Sequence, residues 1–402
     1  MARSNKLMKQ KKTSLKKNKT NVRKSKHGKK RRSSRKVKIM IGGATVKILL
    51  IIDPQNDFTD QKKTHDKRVP QFTSDPFDQL CDSKGLAVPG AKTDLDKLVS
   101  FLTKNGDKFD EIHVSLDSHT PNHICHIGFW NRVTTGRNEE QPRPLQTFYV
   151  KESEKNVIYI GNWNGTHQEP EVIVTTKDPK LQEWAYMYVL QMQKNNVSNP
   201  SKPIPCLWAE HCIIEGLSGT DDGWHVYDPL RAVLNTMKGK VFYHEKGTND
   251  LVEMYSIFSA ELPYEDLKEQ VSEACRSHVA SMYASKIVPT VEIIPTIENV
   301  PNTQHNYNTT FNDTLFKRLI GNGTNKIYVC GEAKSHCVKT SLEDMLDHCE
   351  SYKYSPSNII VFEDLTSPIP GFEIPTETAY ETMKTKGLEI TSTTAFEKET
   401  AQ

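Results

Sequence analysis

The chain has 402 residues, with 53 Lys and Arg against 50 Asp and Glu, a net charge of +3 and 36% hydrophobic residues. This length predicts two average domains or one large α/β domain with insertions, and the composition is typical of a globular protein. No run of 18 or more apolar residues occurs, so the sequence predicts neither a membrane-spanning helix nor a membrane partner.

The charge is distributed unevenly along the chain. Residues 1–38 hold 18 of the 53 Lys and Arg residues and none of the 50 Asp and Glu residues, so the remainder carries a net charge of −15. Because this segment has almost no large apolar side chains, we expect residues 1–45 to form a disordered basic tail. Residues 29–36 (KKRRSSRK) are typical of a signal for an import receptor or of a nucleic-acid-binding patch. A solubilising tail without a partner is the alternative.

The eight cysteines show no C-x-x-C pair and no regular spacing. In a chain of this length, such scattered cysteines favour reduced thiols over a disulfide framework. We therefore expect an intracellular protein, in the nucleus or the cytoplasm.

In chain order, the first element is the apolar run of residues 47–52, which is typical of a central parallel strand and leads directly into Asp53. Further strands and helices then alternate, which predicts a three-layer (α-β-α) fold with a mostly parallel sheet in a domain over 46–402. Two polar stretches, at about 130–205 and 261–306, interrupt this alternation and are interpreted as insertions. The predicted strands are 111–116, 157–160, 172–175, 240–244, 327–330, 358–362 and 388–391, and the predicted helices are 93–105, 179–194, 229–237, 311–320 and 375–386.

Cys337 follows a predicted strand and Gly331, and it lies in the first turn of a predicted helix. Free backbone N–H groups and the positive end of the helix dipole lower the pKa of a thiol there, which favours a thiolate. A small buried cysteine that packs the strand–helix junction is the alternative.

Two more reactive side chains, Asp53 and Lys246, also follow predicted strands. The carboxyl ends of parallel strands meet at one edge of a sheet, where open α/β folds place their sites. A cysteine nucleophile needs a base, which Asp53 can supply, and a cation, which Lys246 can supply. The turn over 331–337 offers backbone N–H groups for an oxyanion. Taken singly, Asp53 could be a turn residue and Lys246 a solvated surface charge.

A second group of polar residues combines a carboxylate with several imidazoles. Such a set suits Zn²⁺, Fe²⁺ or Mn²⁺, with solvent in the open positions. Solvated loop histidines are the alternative, and Cys125 is a further ligand candidate ranked below the histidines. The members are Asp117, His119, His123, His126 and His211.

These motifs resemble those of a known family. Three of them resemble the Asp–Lys–Cys triad of the isochorismatase-like cysteine hydrolases: Asp53-Pro-Gln-Asn-Asp-Phe58, Lys246-Gly247 and Ala333-Lys-Ser-His-Cys337-Val. A further set of residues resembles the metal site of the nicotinamidase branch: Asp117-x-His119, His123 and Trp208-x-x-His211-Cys. The resemblance covers roughly 46–126, 207–260 and 310–392.

The resemblance implies a metal-assisted cysteine amidohydrolase, most simply one that converts nicotinamide to nicotinate and ammonia through a Cys337 thioester. Asp53 would deprotonate Cys337, and Lys246 would support this charge arrangement. The backbone N–H groups of Ala333 and Cys337 would hold the oxyanion, with a cis peptide before Ala333.

The resemblance further implies a divalent metal, Zn²⁺ first with Fe²⁺ or Mn²⁺ as alternatives, and Phe58 and Trp208 around the substrate ring. The implied metal ligands are Asp117, His119, His123 and His211.

Three departures from the family leave the substrate open. Ala209 stands where nicotinamidases usually have proline, Lys334-Ser335 replaces the commoner Thr-Asp, and the two insertions are additional. An amidase acting on another small amide, of ureide or carbamoyl type, is the first alternative. A catalytically silent binding protein on this fold, which the basic tail would suit, is the second. The oligomeric state stays open.

Overall fold

The computed structural model describes residues 45–59, 85–131, 133–135, 138–140, 146–161, 172–214, 223–237, 239–285 and 309–401. Thr45–Gln402 form one compact unit. Residues 1–44, the greater part of the predicted basic tail, lie outside the described residues. The disorder and the partners of that tail therefore stay predictions.

A six-stranded sheet forms the centre of this unit, and each of its strand pairs is parallel. The six strands are β1 (Lys47–Ile52), β2 (Glu111–Asp117), β9 (Val241–Lys246), β10 (Lys326–Gly331), β11 (Ile359–Phe362) and β12 (Glu389–Thr391). Their spatial order is β12-β11-β10-β1-β2-β9. The predicted mostly parallel α/β architecture is therefore confirmed.

Strand β1 has no face toward solvent. Ile48, Leu49 and Leu50 are each at most 1% exposed, although successive side chains of a strand point to opposite faces. Both faces of the sheet are therefore covered, as an all-parallel sheet with crossover helices requires. This burial gives the three layers that the alternating pattern predicted.

The helices match the predicted ones within a few residues, apart from two helices in the second insertion and a last helix, none of which a pattern indicated. The helices are α1 (Ala91–Asn105), α2 (Gln182–Ser198), α3 (Asp228–Thr236), α4 (Tyr264–Leu267), α5 (Glu273–Ser285), α6 (Asp313–Ile320), α7 (Lys339–Tyr352), α8 (Glu373–Thr385) and α9 (Thr393–Thr400). Helices α1 and α6 both contact β10.

The stretch at about 130–205 builds its own small sheets beside the parallel one. Its strands are β3 (Trp130–Asn131), β4 (Val133–Thr135), β5 (Asn138–Glu140), β6 (Thr147–Tyr149), β7 (Ile158–Gly161) and β8 (Val172–Thr176). A four-stranded antiparallel sheet has the order β3-β8-β7-β6, and β4 pairs with β5. Two of these strands, β7 and β8, were predicted.

In the second interrupted stretch, 286–308 lie outside the described residues, and the part before them forms α4 and α5.

The seven cysteines within the described residues are all free and buried. This agrees with the prediction of reduced thiols, while Cys81 lies outside the described part of the chain. No helix in that part is long and apolar enough to cross a membrane.

Candidate active site

Four neighbouring strands of the sheet, in the order β10-β1-β2-β9, bring polar residues to one edge. Asp53 follows β1, Asp117 ends β2, Lys246 ends β9, and β10 leads into the turn that carries Cys337. Asp117 and Lys246 are register partners across β2 and β9. The parallel register therefore places the predicted catalytic residues at the carboxyl ends of adjacent strands, as expected.

The ammonium of Lys246 lies at the centre of this edge. Its Nζ is 3.0 Å from Oδ2 of Asp53 and 2.9 Å from Oδ1 of Asp117, and it donates to the Met254 carbonyl at 3.0 Å. The Cys337 Sγ lies 3.7 Å away. One buried cation thus contacts the proposed base, a candidate metal ligand and the proposed nucleophile.

Burial alone lowers the pKa of Lys246, but Asp117 and Asp53 outweigh it, and the pKa lies well above its usual value. For Asp117, burial raises the pKa, while His119 and Lys246 lower it, and the result is a pKa well below the usual range. Lys246 is therefore a fixed ammonium and Asp117 a fixed carboxylate near neutral pH.

Asp53 is fully buried and takes a backbone conformation with φ of 43°. Ser115 donates to Oδ1 of Asp53 at 2.6 Å and accepts from the Asp53 amide at 2.9 Å, which fixes the orientation of the carboxyl group. Burial raises the pKa of Asp53, and the Lys246 ammonium opposes this rise. A carboxylate with a raised pKa is a better proton acceptor, which suits a general base.

Cys337 lies in a single π-helical turn, Lys334–Val338, that precedes α7. The Glu332–Ala333 peptide before this turn is cis, as the resemblance implied. Burial raises the pKa of the Cys337 thiol well above its usual value, although Lys246 lowers it. The expected resting thiolate is therefore not supported, because desolvation outweighs the helix terminus. The thiol therefore needs a base, and Asp53 and the thiol both contact the Lys246 ammonium, at 3.0 Å and 3.7 Å.

Three imidazoles converge beside Asp117. One nitrogen each from His119, His126 and His211 lie within 4.8 Å of one another, and all three side chains are buried. Asp117 Oδ2 lies 2.9 Å from Nε2 of His119 and 3.3 Å from Nε2 of His211. The predicted ligand set contains His123 and leaves out His126. In the structure His126 is in this group, and the ring of His123 lies 4.2 Å from that of His119 between centroids.

The donor set fits a divalent metal ion. Three nitrogens and a carboxylate oxygen are ligands that Zn²⁺, Fe²⁺ and Mn²⁺ accept. Nδ1 of His119 donates to the Gly247 carbonyl at 3.1 Å, which leaves the Nε2 lone pair for a metal. Burial lowers the pKa of His126 well below its usual value, so this ring is neutral and can also donate a lone pair.

Gly247, which follows the lysine, has no room for a side chain. Its φ is 72°, and an added Cβ would lie 2.8 Å from Oδ1 of Asp117 and 2.8 Å from Cε1 of His119. The glycine of the Lys246-Gly247 motif thus lets the backbone approach the carboxylate and the imidazole closely.

The two predicted substrate-binding aromatics flank the site from different sides. The ring centroid of Phe58 lies 5.5 Å from that of His211, and Trp208 lies 5.2 Å from His336, the residue before Cys337. The Trp208 indole donates to the hydroxyl of Tyr255 at 2.8 Å. Phe58 is therefore on the imidazole side and Trp208 on the thiol side.

Sequence reasoning missed Ser115 and Tyr255, and the ligand set that the resemblance implied left out His126. Ser115 could have been found, since it lies two residues before Asp117 on β2 and therefore on the same face of the strand. No local signal marks Tyr255, because its contact with Trp208 joins loops far apart in the chain.

No protein-family model and no curated protein matches the chain. Among solved structures, it is similar to the yeast nicotinamidase Pnc1p, at 15% identity and a TM-score of 0.41 over 86% of this chain and 99% of that one. A nicotinamidase/pyrazinamidase of Acinetobacter baumanii follows at 16% and 0.42, over 87% and 96%. N-carbamoylsarcosine amidase of Thermoplasma acidophilum is found at 13% and 0.36, over 87% and 97%. With such low identities and TM-scores, function has to be inferred from the geometry of the site.

Proposed function

We propose that the protein is a metal-assisted cysteine amidohydrolase and that nicotinamide is its substrate. The observation that carries this proposal is the contact of one buried ammonium, Lys246, with both Asp53 and Cys337 beside a carboxylate–imidazole group. A buried thiol with a raised pKa, a carboxyl base and a fixed cation that contacts both of them form a unit for nucleophilic attack.

In the first half of the reaction, Asp53 takes the proton of the Cys337 thiol and the sulfur attacks the amide carbon. Lys246 stabilises the thiolate as the proton leaves. The tetrahedral intermediate collapses with cleavage of the C–N bond, the amine leaves as ammonia with the proton from Asp53, and a thioester remains.

In the second half, Asp53 takes a proton from water, which attacks the thioester carbonyl. The C–S bond breaks, the acid leaves, and Cys337 recovers its proton. The backbone N–H groups of Ala333 and Cys337 are the proposed donors to the oxyanion in both halves, and each such donor typically contributes about 10²–10³ in rate.

The proposed metal ligands are Asp117, His119, His126 and His211. When bound, the metal supplies a Lewis acid that a pyridine nitrogen can coordinate. Phe58 and Trp208, on either side, offer apolar surfaces for an aromatic ring. This combination favours a heteroaromatic amide over a ureide or carbamoyl compound.

The test is release of ammonia from nicotinamide by the purified full chain, with and without a chelator. We expect turnover that the chelator removes and that Zn²⁺, Fe²⁺ or Mn²⁺ restores. The matched control is Cys337→Ala, which keeps the metal ligands and lacks the nucleophile.

Turnover of aliphatic ureides or carbamoyl amides without turnover of nicotinamide would reassign the substrate and keep the chemistry. Inactivity on every amide, with Cys337 unreactive toward a thiol probe in the metal-loaded protein, would overturn the proposal and favour a silent binding protein.

A further inference from the structure

A second group of metal-ligand side chains lies beside the first one. One ligand atom each from His123, Cys125 and Glu253 lie within 4.8 Å of one another. These side chains are only 0%, 3% and 2% exposed. His123 and Cys125 come from the loop after β2, and Glu253 comes from the loop after β9.

Glu253 presents a carboxylate oxygen that the described residues leave unsatisfied. Its Oε1 accepts from the Met254 amide at 2.9 Å, while its Oε2 is buried and has no hydrogen-bond partner among the described residues. A buried carboxylate oxygen without a partner costs free energy, so its presence calls for a ligand.

The surroundings of His123 leave a nitrogen that can serve a metal. Nε2 lies 3.2 Å from the Val252 carbonyl, so the ring proton belongs there and Nδ1 keeps its lone pair. The only contact that the structure gives Nδ1 among the described residues is the Cys125 amide, at 3.3 Å. That distance is at the long end for a hydrogen bond, and a metal bond can replace it.

The charges of this group match a dication. A bound Zn²⁺ would displace the proton of the Cys125 thiol, and the thiolate and the Glu253 carboxylate would then together balance the two positive charges of the ion. One nitrogen, one sulfur and one oxygen are ligand types that zinc accepts, with a fourth position left for another group. In contrast, the first group offers three imidazoles and only one negative charge, that of the Asp117 carboxylate.

We propose that His123, Cys125 and Glu253 form a second divalent metal site, with Zn²⁺ as its ion. The rings of His119 and His123 are 4.2 Å apart between centroids, so the two sites are neighbours. An ion in the second site links the loop after β2 to the loop after β9. The hydrogen bond from Thr120 Oγ1 to Asp250, 2.7 Å, joins the same two loops. The second site thereby fixes the loop after β2, which carries His119 and His126 of the first site.

The first measurement is the metal content per chain after loading with Zn²⁺ and removal of excess. We expect two ions for the wild type and one each for Cys125→Ser and Glu253→Gln. Cys206→Ser is the matched control, because Cys206 is another buried free thiol and is outside the group. It should keep two ions.

The second measurement replaces zinc with Co²⁺ and records the thiolate-to-cobalt charge-transfer absorption, which needs a sulfur ligand. The wild type, Cys206→Ser and His211→Ala should show it, and Cys125→Ser should lack it while its circular dichroism stays native.

A native-folded Cys125→Ser protein with the same metal content and the same absorption as the wild type would overturn the second site. If the wild type binds one ion and Cys125→Ser binds none, the second site is supported and the first site is not. The failure of this proposal and that of the proposed function are therefore distinguishable.

Discussion

Burial has opposite effects on the stability of two side-chain clusters in this protein. The charged cluster comprises Asp53, Asp117, Lys246 and Cys337 at the carboxyl edge of the sheet. The aromatic cluster combines Phe101, Phe109, Tyr328, Phe362 and Phe396, in which Phe109 stacks on Phe396 at 5.3 Å between centroids. Burial stabilises the aromatic rings, whereas it penalises each charge of the other cluster and is offset only by pairing.

This contrast teaches which residues of the protein serve the fold and which serve the chemistry. Removing an aromatic side chain should lower stability and leave the reaction intact. Removing a charged or nucleophilic group should stop the reaction, and its effect on stability should depend on what remains unpaired. The following predictions separate the two clusters, beginning with the largest effect.

Cys337→Ala should abolish amide hydrolysis, with a loss on the order of 10⁶-fold, the scale seen when a catalytic nucleophile is removed. Its stability should change little, since the thiol is small and uncharged in the resting protein. Ammonia release and thermal melting measure both effects. Activity that survives in this variant would remove Cys337 from the mechanism.

Lys246→Met should lose both activity and stability. It leaves the carboxylates of Asp53 and Asp117 buried without their cation, and breaking a buried ion pair typically costs about 3–5 kcal/mol. Urea unfolding at pH 7 measures this loss. The double variant Asp53→Asn, Lys246→Met should recover part of the stability without recovering activity. If the double variant is no more stable than Lys246→Met, the burial of unpaired charge is not the cause of the lost stability.

Phe109→Ala should lower the free energy of unfolding by about 3–5 kcal/mol, the usual range for a buried phenylalanine. Phe109 contacts Phe101, Tyr328 and Phe396, none of which belongs to the site. At a temperature where the variant is folded, kcat and KM should equal those of the wild type. A selective loss of kcat would show that the aromatic cluster also positions the site.

The same contrast explains how much could be predicted from sequence. The apolar run of β1 and its carboxyl-terminal Asp53 identify both the sheet and its reactive edge, because strand pattern and strand end are local properties. The choice between His123 and His126 is not local. It depends on the contact between the loop after β2 and the segment around Trp208. His126 and Trp208 form an isolated β-bridge there, and no spacing rule predicts that pairing.

The protonation state of Cys337 also could not be predicted from the local sequence. The position of Cys337 at a helix start favours a thiolate, but the pKa depends on desolvation by residues from several strands. The helix α9 was missed because its one buried residue, Phe396, gives no periodic pattern.

The smallest predicted effect is a pH dependence of stability from Glu332, which lies outside both clusters. Its side chain is fully buried, and burial and then Asp94 raise its pKa well above the usual value. A group whose pKa is raised by folding contributes full stability below its unfolded pKa and loses it as pH rises toward the folded pKa. Stability should therefore fall as pH rises above about 4.5, and Glu332→Gln, which has no charge to bury, should flatten this slope.

Urea unfolding of the wild type and of Glu332→Gln at a series of pH values measures the difference. Parallel curves would show that Glu332 is as highly charged in the folded protein as in the unfolded chain, and would overturn this prediction.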